Sequence, residues 1–97
     1  MEYISVLWKN SSTSDPVRLV SELDEQRYER RKLEFYADGT VGAASDDFED
    51  ARTRLGIVAV PALSEINEDT QFQGEAITQA EFDELWQQNA PPFAHRR

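Results

Sequence analysis

Cysteine is absent from this 97-residue chain, which excludes disulfides and thiolate chemistry. Histidine occurs once, as His95. With no second histidine and no cysteine, a zinc site lacks a ligand set. A lone imidazole beside Arg96-Arg97 also lacks the fixed partner that a general base needs. The four glycines, Gly39, Gly42, Gly56 and Gly74, are scattered, so neither a phosphate-cradling loop nor a nucleophile elbow can be drawn. No apolar run approaches the roughly 18 residues that span a membrane. The opening MEYISVLWK has no basic segment leading into a long apolar one, so no signal peptide is expected. Without a secretion signal, the sequon Asn10-Ser11-Ser12 is read as chance. The expected location is the cytoplasm.

Positive charge is also scarce, and it is unevenly placed. The net charge is −9. Between Leu55 and His95 there are seven acidic residues and no Lys or Arg. A field of this sign repels phosphate backbones, so nucleic acid is not an expected partner, and a basic protein is. The chain has the size of one domain. Apolar residues at 39% and charged residues at 30% allow a small core under a charged surface.

What is present reads as strands and helices of an α+β domain. Glu2–Trp8 is rich in β-branched and aromatic residues, with Ile4, Val6 and Trp8 on one face. Asn10–Pro16 is a polar loop, and Val17–Leu23 alternates as a second strand. The charged stretch SELDEQRYERRKLEFYADGTVG is a strand and not a helix. Leu23, Tyr28 and Leu33 are five apart and would wrap around a helix, whereas Leu33 and Phe35 alternate with Glu34 and Tyr36. Asp38-Gly39 predicts a two-residue type I′ hairpin turn with positive φ at both residues, pairing Phe35 with Gly42 and Leu33 with Ala44. Arg30, Arg31 and Lys32 are expected to pair with Glu22, Glu29 and Glu34 across strands, not to form a basic binding patch.

Asp46–Gly56 is expected as a short helix with Asp46 as its cap, Ile57–Pro61 as extended, and Ala62–Asp69 as a helical turn or two with Leu63 and Ile66 inward. The C-terminal helix has the plainest signature. Thr78 and Glu81 form a capping box, Ile77 and Phe82 a staple, and Phe82, Leu85 and Trp86 an apolar stripe. Pro91-Pro92 stops the helix, leaving residues 91–97 as a flexible tail after a domain of residues 1–90.

The expectation is a four-stranded antiparallel meander at about 2–8, 17–23, 29–37 and 40–44, with the C-terminal helix on one face and the middle segment closing an edge. Its expected core is Ile4, Val6, Trp8, Leu19, Leu23, Leu33, Phe35, Phe82, Leu85 and Trp86. Trp8 and Trp86 are read as core and not as a ligand platform. The cluster Asp46-Asp47-Glu49-Asp50 lacks the spacing and turn glycine of a calcium loop. No catalytic, cofactor-binding or metal residue is assigned.

The segments YISVLW, SELDEQRYERRKLEFYADGTVG, LSEIN and ITQAEFDELW together resemble a family of small, acidic, mostly bacterial domains of unknown function, over roughly Tyr3 to Trp86. The resemblance implies a bacterial, single-domain, non-secreted protein and carries over no catalytic residue. The functional expectation is a small acidic protein-binding module, such as an immunity protein or inhibitor that neutralises a basic bacterial toxin. The candidate partner-binding residues are Glu65, Glu68, Asp69, Glu75, Asp83 and Glu84, with Asp83 and Glu84 facing outward. The alternatives are an accessory domain that self-associates through a sheet edge and a carboxylate-based enzyme.

Overall fold

A computed structural model describes residues 1–9, 12–49 and 53–91. Six strands form one antiparallel sheet: β1 (Glu2–Trp8), β2 (Arg18–Leu23), β3 (Glu29–Phe35), β4 (Val41–Ser45), β5 (Phe48–Glu49) and β6 (Phe72–Ile77). A one-turn helix, α1 (Leu63–Ile66), precedes β6, and α2 (Gln79–Asn89) follows it. The spatial order is β5-β4-β3-β2-β1-β6. The meander is therefore right for its four strands but incomplete at both ends. β5 stands where a helix was expected from Asp46, and the expected residues 50–52 of that helix lie outside the described residues. The middle segment closes one edge, through β5 beside β4; the other is closed by β6, pairing Tyr3 with Ile77 and Val6 with Gly74.

β6 escapes a sequence reading because FQGEAI mixes Gly, Gln and Glu into a weak pattern. It forms because β1 is buried and its outer N–H and C=O groups need partners. α1 then lies close over it. A Cβ added at Gly74 would come within 2.9 Å of Leu63 Cδ2. The Asn67 amide bridges the outward backbone of Gly74, accepting from its N–H at 2.6 Å and donating to its carbonyl at 3.0 Å. One side chain thus stands in for a further strand along this edge.

The β3–β4 hairpin differs from expectation. Gly39 has φ +89°, but Asp38 does not share a positive φ. The Tyr36 N–H donates to the Thr40 carbonyl at 2.9 Å and the Gly39 N–H to the Tyr36 carbonyl at 3.0 Å, which makes a three-residue loop ending in a left-handed glycine. The Asp38 carboxylate accepts from the Thr40 N–H at 2.9 Å and its hydroxyl at 2.6 Å. That is the local bonding Asp prefers at turns, and it holds Asp38 out of the left-handed region. The register moves by one, so Leu33 faces Ala43 and Phe35 faces Val41.

The core is two clusters, one on each face of the sheet. Under α2 lie Tyr3, Val20, Leu33, Ala43, Phe82, Trp86 and Ala90, joined by the partly buried Phe35, Phe48, Ile77 and Leu85. On the opposite face Ile4, Val6 and Leu23 meet Val60, Leu63, Ile66 and Phe72. The expected placement of Ile4, Val6, Trp8, Leu19 and Leu23 beneath α2 is therefore corrected. β1 runs between two strands, and both of its faces are apolar, so its alternation cannot say which face meets the helix. Trp8 lies beside Phe72, 5.6 Å between ring centroids, and not beside Trp86. Thr78 caps α2 and forms the expected capping box with Glu81. α2 ends as Ala90 turns extended before Pro91. His95 and the expected tail beyond Pro91 lie outside the described residues.

Candidate functional site

Among the described residues a cleft opens on each face of the sheet. The larger, of about 710 Å³, opens beside α2 and is lined by Glu22, Asp24, Arg30, Arg31, Asp46, Asp83 and Trp86 among others. Its chemistry begins in the β2–β3 register, which sets Glu22 directly opposite Arg31. Arg31 donates to both Glu22 carboxylate oxygens, from Nε at 2.9 Å and Nη2 at 2.8 Å, and Nη2 also reaches Asp83 Oδ1 at 2.9 Å. The guanidinium lies 4.7 Å from the Phe82 ring centroid and 5.3 Å from that of Trp86. It therefore fastens α2 to the sheet by charge and by cation–π contact together. Burial pulls the Arg31 pKa down, but the Glu22 and Asp83 carboxylates outweigh it and hold the group above its ordinary value. On the same face burial raises the Tyr3 hydroxyl, and the adjacent Glu22 charge raises it further.

The turn leading into β3 is built by Asp24. Its carboxylate accepts from the Tyr28 N–H at 3.0 Å and the Gln26 N–H at 2.9 Å, and from Arg30 Nε at 3.0 Å. The Tyr28 backbone bond contributes most to holding this carboxyl below its ordinary pKa; the Gln26 N–H and Arg30 add to it. Arg30 also approaches Asp46 at 3.6 Å. Every arginine lining this cleft is thus engaged with carboxylates that also line it. Asp83, expected to face outward, is half-buried on Arg31.

Arg27 sits at φ +68°, a conformation that costs a non-glycine residue about 1 kcal/mol or more. Its guanidinium donates to the carbonyls of Val60 and Pro61, both at 2.8 Å, and to Glu2. The Val60 N–H donates to the Arg27 carbonyl at 2.8 Å. Arg27 thereby tethers the extended segment that carries Ile57 and Val58, which are 92% and 70% exposed. That tether shapes the second cleft.

The second cleft, of about 410 Å³, lies on the face away from α2. Ile4, Val6, Leu19, Val60, Ile66 and Phe72 line it, with Glu29, Glu65 and Asp69. Glu29 is occupied: it accepts from Ser21 at 3.2 Å and the Gly56 N–H at 2.6 Å, and pairs with Lys32 at 3.2 Å. Glu65 and Asp69 have no ion-pair partner among the described residues.

The structure divides the six candidate residues. Glu65, Glu68 and Asp69 lie in and just after α1, Glu75 projects from β6 on the α2 side of the sheet, and Asp83 and Glu84 are on α2. They form no single patch. The expected pairing holds across strands for Arg31 with Glu22 and within β3 for Lys32 with Glu29 and Glu34, whereas Arg30 turns to Asp24 and Asp46. The sequence reading missed the reach of Arg31 to Asp83 and the cleft at Glu65 and Asp69. Arg31 and Asp83 are 52 residues apart, so no local signal in the sequence joins them. Among the described residues no group of three His, Asp or Glu side chains comes together as a metal site, and no helix is long and apolar enough to cross a membrane.

Nothing among curated proteins or solved structures matches the chain. Residues 2–91 match the family model described as a domain of unknown function, DUF6881, and this chain belongs to that family.

Proposed function

We propose that this domain is a protein-binding module that meets a basic partner through the acidic residues its own cations leave unpaired. One observation carries the reading. The ion pairs of the described residues gather at the β2–β3 end of the sheet, while Glu65, Glu68, Asp69, Glu75 and Glu84 have none. Charge arranged this way steers an oppositely charged surface and speeds its encounter. Neutralising a basic bacterial toxin is the particular form of binding that the size and charge suit. The reading assigns no catalytic role, since the two most buried carboxylates, Glu22 and Glu29, already hold arginine, lysine, hydroxyl or backbone donors.

The test is a partner captured from the host and followed by stopped-flow association. Its rate should fall as salt rises from low to physiological strength, because the Debye length shrinks. Charge reversal at Glu75→Lys with Glu84→Lys should slow association by about tenfold or more. Asp83 is left intact because it fastens α2. A partner whose rate ignores both salt and charge reversal overturns the reading.

A further inference from the structure

We propose that the cleft bounded by Glu65 and Asp69 binds an aliphatic cation, the side chain of a lysine or arginine on the basic partner. This assignment rests on the basic-partner reading for its source of ligand, but the cleft's chemistry stands by itself. Its volume of about 410 Å³ falls within the roughly 300–1,000 Å³ of sites that enclose small ligands. The sheet supplies Ile4, Val6 and Leu19, and the segment crossing it supplies Val60 and Ile66. These make an apolar slot on a face that α1, a single turn, leaves partly uncovered.

Two carboxylates without cation partners among the described residues then select the ligand. An anion would be repelled by Glu65 and Asp69. A purely apolar group would fill the slot but strip water from carboxylates and give nothing back. A lysine or arginine side chain satisfies both parts, because its methylene stem covers apolar surface while its charged end stays at a polar margin. The larger cleft makes no such offer, since Arg30 and Arg31 already occupy its acids.

The probe is n-hexylammonium, titrated into the full chain beside 1-hexanol and hexanoate at matched ionic strength, with backbone amide NMR shifts as the readout. Hexylammonium should move the amides of Ile4, Val6, Ile66 and Phe72 saturably. Hexanol should bind about three- to fivefold more weakly, as expected for a solvent-exposed ion pair, and hexanoate more weakly still. In Glu65→Gln with Asp69→Asn, hexylammonium should lose its advantage over hexanol while amides under α2 keep their positions. Equal affinity for the three probes, absence of shifts at these amides, or shifts gathered at Trp86 would each overturn the proposal. If hexylammonium fails here while partner association still slows on Glu75→Lys with Glu84→Lys, this cleft assignment falls and the basic-partner reading stands. If hexylammonium binds as described and partner association ignores charge, the cleft stands and that reading falls.

Discussion

The two faces of the sheet are covered in different ways. On one, an eleven-residue helix lays Phe82 and Trp86, 0% and 4% exposed, onto Tyr3, Val20 and Leu33. Three charged groups, Glu22, Arg31 and Asp83, then close the margin. On the other face a four-residue helix and an extended segment cover Ile4, Val6 and Leu23, and an apolar cleft remains whose Glu65 and Asp69 have no cation partner among the described residues. On the first face the carboxylates at the margin of α2, Glu22 and Asp83, are matched from within by Arg31. The second leaves matching groups to be supplied from outside, and so it is the face where a ligand has something to add. Stability should be concentrated on the first face and tolerance to change on the second.

The largest expected difference is between two aromatic truncations. Trp86→Ala should cost about 3–5 kcal/mol in denaturant unfolding, the usual loss for a buried large side chain. Phe72→Ala, on a half-exposed ring beside Trp8, should cost only about 1–2 kcal/mol. Equal losses would erase the contrast between the faces.

Next comes the charged closure. Arg31→Met leaves Glu22, only 8% exposed, without its partner. The loss should be about 2–3 kcal/mol, somewhat below that of a fully buried pair because Arg31 keeps a quarter of its side-chain exposure. Adding Glu22→Leu to the same chain should restore most of it, since both charges are then gone. A double variant as unstable as the single one would show that packing of the arginine on Phe82 and Trp86 dominates.

A smaller effect is expected at the entry to α2. Thr78→Ala removes the oxygen that accepts from the Glu81 N–H at 3.1 Å, and should cost about 0.5–2 kcal/mol. The ligand cleft should be unaffected, which separates the two faces in one measurement of unfolding and hexylammonium binding.

The smallest is a pH effect. The folded Tyr3 hydroxyl is raised above its ordinary value of 10.0, first by burial and then by Glu22. The protonated form is therefore favoured in the folded state. Its contribution to stability is complete below the unfolded value and is lost as pH rises from about 10 through the folded value. Unfolding curves should show wild type losing more stability than Tyr3→Phe over that alkaline range, and parallel curves would exclude the effect.

Local chemistry in the sequence was enough for α2, for the first four strands and for one feature of a turn. Thr78 and Glu81 cap a helix through bonds between near neighbours, and Gly39 takes its positive φ wherever that loop folds. Matters between distant residues were decided by tertiary structure. Gly42-Ala43-Ala44 carries no large side chain to fix a register, so the Asp38 bonds to Thr40 chose Leu33–Ala43. β1 is apolar on both faces, so only the chain's path across the sheet put Tyr3 and not Ile4 beneath Phe82. β6 has little strand character of its own and exists because β1 had an edge to satisfy. Charge was counted correctly from sequence, but which charges remain unpaired depends on what the fold brings within reach. Among the described residues it brought Arg31 to Asp83 but no cation to Glu65 or Asp69, and a difference of that kind is written in three dimensions only.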